Sequence, residues 1–201
     1  MTAKLMALSI LTLSCVAAPA FAQDADARKL ATQVCSSCHG PRGESISSAF
    51  PRLAGQQADY LEGQLRAFRD RTRADPMAQA YMWGMASQLD DATIRSLAAY
   101  YTSQKPVHAK AADPKLAQQG KSIYEAGVAG GQACVTCHGK DGQGNGAIPR
   151  LAGQHPEYLV KQLVLFKSTL RADSNAPIMH KISAGMSFDQ MEAVAAHLGS
   201  L

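Results

Sequence analysis

Cys35-Ser-Ser-Cys38-His39 and, 99 residues further on, Cys134-Val-Thr-Cys137-His138 decide how this 201-residue chain is read. Two thiols one helical turn apart can each add to one vinyl group of a haem, and the histidine that follows is placed to bind the iron from one face. One such pentapeptide is a moderate signal. Two, each inside its own copy of a repeat, imply two haem c groups. They would be held covalently by Cys35 and Cys38 and by Cys134 and Cys137, with His39 and His138 as axial iron ligands.

The repeat extends well beyond the motifs. Pro51-Arg-Leu-Ala-Gly-Gln56 recurs letter for letter as Pro149-Arg-Leu-Ala-Gly-Gln154. Tyr60-Leu61, Gln64-Leu65, Phe68 and Arg73-Ala74-Asp75 match Tyr158-Leu159, Gln162-Leu163, Phe166 and Arg171-Ala172-Asp173 at a constant offset of 98. The copies are therefore tandem domains, 23–103 and 113–201, and 104–112 reads as a polar linker interrupted by Pro106. Each half has about 80–90 residues, near the lower limit for a self-sufficient core. A covalently held porphyrin would supply the missing apolar bulk.

The patterning is all-α. Tyr60, Leu61, Leu65 and Phe68 keep helical spacing, as do Tyr158, Leu159, Leu163 and Phe166. Asp90 can cap a helix with Ile94, Leu97, Ala98 and Tyr101 on one stripe. Ser187 with Gln190 forms a capping box ahead of Met191, Val194, Ala195 and Leu198. Asp113-Pro114 reads as an N-cap with proline at the first helical position. No stretch shows sustained strand alternation. The glycine-rich segment 139–146 follows the second motif and opens no helix after a strand, so it is a turn-former and not a phosphate cradle.

Residues 1–22 read as a secretory signal: Lys4, an apolar stretch from Leu5 to about Ala18, and Ala20-Phe21-Ala22 as a small-x-small site for cleavage after Ala22. The periplasm is the expected location, with Cys15 lost alongside the signal. In an oxidising compartment four cysteines would ordinarily suggest two disulfides, but the histidine after each pair assigns them to thioethers. Nothing after residue 22 approaches a transmembrane run, which leaves a soluble or peripherally membrane-attached protein. The chain has 20 Lys+Arg and 16 Asp+Glu and no basic, aromatic-interleaved patch, which argues against nucleic acid as a partner.

The sixth ligand of each iron decides function. A methionine closes the site and raises the potential, whereas an open position invites chemistry on small molecules. An offset of 97 pairs Leu89 with Met186 and Met82 with Met179, and both Met82 and Met179 are expected in loops able to swing over the distal face. Met186 and Met191, on or near the C-terminal stripe, read as core. Met85 and Met77 lie close to Met82, so the first-domain choice stays open between Met82 and Met85. His108, His155 and His197 read as structural or solvated, and His180 as a fallback ligand.

With two such motifs, each followed by Pro-Arg-Leu-Ala-Gly-Gln and later by a methionine, the chain resembles the periplasmic dihaem cytochrome c4 family over essentially all of its length after residue 22. The resemblance implies two class I cytochrome c domains related by a pseudo-twofold, with His and Met on both irons. It also implies that Pro51 and Pro149 offer their carbonyls to the non-ligating ring nitrogens of His39 and His138. The function it implies is single-electron transfer between redox proteins of a respiratory chain, such as a quinol-oxidising complex as donor and a terminal oxidase or reductase as acceptor. The main rival is a dihaem, peroxidase-like enzyme with one displaceable ligand. A zinc protein would place its cysteine pairs closer in sequence, and thioredoxin-like chemistry would need a strand–helix context.

Overall fold

In the computed structural model, which describes residues 20–109, 111, 113–128, 131–173 and 176–201, the two halves repeat one helical plan. In the first half α1 (Ala20–Leu30) runs through a π-helical turn, Ala31–Cys35, directly into α2 (Ser36–His39). There follow α3 (Ala58–Arg69), a second π-helical turn at Ala78–Met82, α4 (Trp83–Ala86) and α5 (Asp91–Thr102). The second half has α6 (Pro114–Ala126), α7 (Val135–His138), α8 (Pro156–Lys167), α9 (Ala176–Ala184) and α10 (Phe188–Gly199). Among the described residues there is no strand, only an isolated bridge between Asn145 and Ile148. The signal reading falls on residues 1–19, Cys15 included, outside the described residues; Ala20–Ala22 form the first turn of α1. No helix among the described residues is long and apolar enough to cross a membrane.

Local chemistry explains the helix starts. Asp90 accepts from the Thr93 amide, Asp113 from the Lys115 and Leu116 amides, and Ser187 and Gln190 close a reciprocal capping box. Each cap satisfies orphan amides and contributes about 1 kcal/mol. The terminal helix organises each half: α5 packs against α1 and α3, and α10 against α6 and α8. Leu61, Leu97, Ala98 and Tyr101 form one core, and Leu159, Met186, Met191, Val194 and Leu198 the other. The apolar stripes read from sequence thus face inward, with one exception. Tyr60 and Tyr158 serve the contact between halves.

The methionines expected in loops are not in loops. Met82 ends the second π-helical turn and Met179 lies within α9. Both stretches are nucleated by the repeated aspartate: Asp75 Oδ1 accepts from the Ala78 amide, and the Asp173 carbonyl from the Ala176 amide. The cavity-facing positions keep helical spacing, Ala78, Met82, Met85 and Leu89 in one half and Met179, Ile182 and Met186 in the other, so the signal was a short apolar stripe opening just after Pro76 and at Pro177. The π-helical turn also explains the change in repeat offset. It accommodates one residue more than an ordinary turn, so the offset is 98 up to Ala78 and Ala176 and 97 from Met82 and Met179 onward.

The repeat extends to strained backbone: Arg71 and Thr169, again 98 apart, both adopt left-handed conformations, at φ 58° and 59°. A β-branched residue is poorly suited there. Thr169→Gly should stabilise the protein by roughly 0.5–1 kcal/mol, read as a rise of a few degrees in Tm; an unchanged or lower Tm would show the strain to be relieved by neighbours.

Candidate haem site

His39 and His138 end the short helices α2 and α7, and each is buried. His39 Nδ1–H donates to the Pro51 carbonyl at 2.9 Å and His138 Nδ1–H to the Pro149 carbonyl at 3.0 Å. Burial holds both imidazoles below their usual pKa, against the opposing pull of those carbonyls. A neutral ring with Nδ1–H committed leaves Nε2 as a lone pair, the arrangement a metal-binding histidine needs. Among the described residues the four motif cysteines form no disulfide, and burial pushes the Cys35 and Cys134 thiols up.

Both motifs open into one cavity of about 520 Å³, whose walls include Phe68, Leu97, Phe166 and Leu198 as well as Met82, Met85 and Met179. Met82 and Met179 hold equivalent places in its wall. The residue after each is anchored alike: Trp83 Nε1–H donates to the Arg73 carbonyl at 2.8 Å, and His180 Nε2–H to the Arg171 carbonyl at 2.7 Å. His180, read from sequence as a fallback ligand, is instead the counterpart of Trp83. A histidine was not recognisable as the partner of a tryptophan by letter matching. Met85 lies one turn beyond Met82 and aligns with Ile182, which carries no ligating atom.

Between the halves lie two buried guanidinium groups. Arg73 and Arg171, 5% and 4% exposed, each donate through Nε to their own aspartate, Asp75 at 2.8 Å and Asp173 at 2.9 Å. Their Nη atoms cross the boundary. Gln64 Oε1 accepts from Arg73 and Arg171 at 2.5 and 3.1 Å, and Gln162 Oε1 from Arg171 and Arg73 at 2.7 and 3.0 Å. Tyr60 OH accepts from Arg171 at 3.1 Å. Burial lowers the Arg171 pKa, but Tyr60, Tyr158 and Asp173 outweigh it and hold the group charged.

The repeated Pro-Arg-Leu-Ala-Gly-Gln element completes the contact. Gln56 accepts from the Arg150 amide at 2.6 Å and donates to the Arg150 carbonyl at 2.9 Å. Gln154 does the same with Arg52, at 2.8 and 2.9 Å. Gly55 and Gly153, both at positive φ, leave no room for a Cβ because Pro106 and Val107 of the linker pass directly over them. The family resemblance implies a role only for the proline carbonyls of this element; the letter-for-letter recurrence of its polar glutamine is the signal in the sequence for an interface. His155, read as a structural or solvated edge residue, is 7% exposed and its Nε2–H donates to the Ser45 carbonyl of the first half at 2.8 Å. Its aligned position holds Gln57, which reaches across to the Gln143 carbonyl at 2.8 Å. His197 is buried beside Tyr124, and His108 donates from the linker to the Leu201 carbonyl.

The fold and the two His–carbonyl sites define tandem cytochrome c domains, and the cytochrome c family model matches the chain twice, over residues 25–105 and 117–201. Cytochrome c4 of Azotobacter vinelandii is 36% identical over 98% of this chain and 99% of its own length. The solved cytochrome c4 of Acidithiobacillus ferrooxidans is 42% identical and superimposes with a TM-score of 0.76 over 83% of this chain and 98% of its own. A protein named thiosulfate dehydrogenase electron acceptor, from Thiomonas intermedia, is 35% identical over 83% of this chain and 77% of its own length. The chain belongs to the dihaem cytochrome c4 family. It is an electron-transfer cytochrome that carries two covalently attached c-type haems and works with redox partners.

His155 gives the interface an acid dependence. Burial and then the nearby Arg52 guanidinium hold its pKa low, against the Ser45 carbonyl and the Glu157 carboxylate. A depressed folded-state pKa means that the stability it confers is present above the unfolded value, about 6.5, and is lost as pH falls through the folded one. His155→Gln, which copies Gln57, should flatten the drop in Tm between about pH 7.5 and about pH 5. An equal drop in wild type and variant would place the acid sensitivity elsewhere.

Proposed function

We propose that this chain is a periplasmic carrier of single electrons, with His39 and Met82 on the first haem iron and His138 and Met179 on the second. The observation that carries this reading is the matched anchoring of Met82 and Met179 by the Trp83 and His180 hydrogen bonds to the Arg73 and Arg171 carbonyls. When bound, each haem supplies a one-electron ferric–ferrous couple. The Pro51 and Pro149 carbonyls orient the imidazoles that would hold the iron and raise their basicity, and the Met82 and Met179 thioethers would complete the ligand set and so keep small molecules from the metal. The cavity walls suit the group. They combine mostly apolar side chains with two neutral imidazoles and the paired motif cysteines beside them.

The reading of residues 1–22 as a signal cleaved after Ala22 supports a periplasmic location. For partners, a quinol-oxidising complex as donor and a terminal oxidase or reductase as acceptor fit a respiratory carrier. The relative named as a thiosulfate dehydrogenase electron acceptor adds a thiosulfate dehydrogenase as a second class of donor. An enzyme of the dihaem peroxidase type would need one sixth position to differ from the other, whereas the two methionines are held alike.

Met82→Ala should remove one of two methionine-to-iron charge-transfer contributions and lower one reduction potential by on the order of 0.1 V. Met179→Ala should do the same at the other haem, and Met85→Ala should leave both contributions intact. Loss of a contribution in Met85→Ala, with Met82→Ala unaffected, would move the first-domain ligand to Met85.

A further inference from the structure

The two haem sites share one plan, and along the cavity wall one position departs from it in a way that bears on the haem itself. Tyr101, in the last turns of α5, is 4% exposed and borders the cavity, packed in the core that also holds Cys35, Leu30 and Leu97. Its hydroxyl is the only buried side-chain polar atom among the described residues without a hydrogen-bond partner. The equivalent place in α10, 97 residues on, is Leu198, which borders the same cavity and packs with Cys134.

A buried hydroxyl left unpaired is costly, so an acceptor is to be sought among the groups it faces. Tyr100 is occupied, donating to the Pro41 carbonyl. Glu44 acts on Tyr101 only at a distance, and its carboxylate is held by the amide and guanidinium of Arg42. Cys35 remains. The Cys35 thiol and the Tyr101 phenol perturb each other, although the pair closes no geometrically complete hydrogen bond. Haem attachment changes the chemistry of that pair. The thiol S–H adds across a vinyl C=C, its hydrogen passing to carbon, and the sulfur is left as an acceptor with no proton of its own. The phenol then becomes the donor.

We propose that the Tyr101 hydroxyl donates a hydrogen bond to the thioether sulfur of Cys35, and that this bond, absent at Leu198, raises the potential of the first haem. A donor at the sulfur withdraws electron density from the porphyrin and so favours the ferrous iron, and a low-dielectric site strengthens the effect. Tyr101 acts through the sulfur and is a positioning and tuning residue. The inference rests on attachment of the first haem through Cys35, which intact mass checks separately in every variant.

The test is a spectroelectrochemical titration of the full dihaem protein, with the two haems assigned by NMR of their methyl groups. Tyr101→Phe keeps the ring and removes only the hydroxyl. It should shift the ferrous-to-ferric ratio of the first haem toward ferric three- to tenfold at fixed ambient potential, up to about 59 mV, with the second haem unmoved. Leu198→Tyr should shift the second haem the opposite way. A folded, fully haem-loaded Tyr101→Phe protein with both potentials unchanged, or with both displaced together, would overturn the proposal. Should Leu198→Tyr fail to fold, Tyr101→Phe alone decides. A wild-type protein whose mass carries fewer than two haems, or a first haem bound without Cys35, would instead refute the attachment on which the proposal rests.

Discussion

Two arginines buried side by side are the constraint on which the arrangement of both sites depends. Burying a charge costs several kcal/mol, and two like charges add their repulsion. The chain answers with one aspartate for each, two glutamines shared between them, and an aromatic face under each guanidinium, Phe68 at 4.8 Å and Phe166 at 4.5 Å. Because the glutamines are shared, neither half can satisfy its arginine alone. Because the Arg73 and Arg171 carbonyls are captured by Trp83 and His180, the same residues that join the halves also set where Met82 and Met179 sit. Docking and distal-side geometry are thus consequences of one cluster.

The pseudo-twofold is close but not an identity, and the departures are chemically directed. Arg69 donates to the Leu89 carbonyl and joins Arg66 in pairing with Asp91, whereas Lys167 alone reaches the equivalent Met186 carbonyl at 2.5 Å. Gln57 and His155 make mirrored contacts across the interface, but only one of them titrates. Tyr101 stands against Leu198. A carrier with two identical sites would hold two electrons without a preferred direction; differences at the thioether and at the interface are the means by which a duplicated chain makes its two sites unequal.

Much of this was legible in the sequence. The paired motifs, the constant offset and the capping residues establish an all-α tandem repeat, and the offsets of 98 and 97 already contained the extra residue that the π-helical turn absorbs. Met82 and Met179 were misplaced in loops because their stretches are short and begin beside Pro76 and Pro177, although Ala78, Met82, Met85 and Leu89, and Met179, Ile182 and Met186, keep helical spacing. The interface was hidden for a different reason. Gln56, Gln64, Arg73 and their repeats are polar residues satisfied by partners about 100 positions away, and a polar side chain read locally looks solvated. His155 was missed because its counterpart is a glutamine, and His180 because its counterpart is a tryptophan; equivalence there lies in a ring or amide N–H and not in the residue letter.

The central claim is that the arginine cluster holds a thioether over each iron, so that both are closed. Carbon monoxide binding to the fully reduced protein at neutral pH tests it most directly, since the gas can bind only where the methionine is absent or displaced. The account predicts little binding at either haem, with both remaining low-spin. Rapid, near-stoichiometric binding to one haem of the undamaged protein would contradict it and make the chain a haem enzyme with an open site.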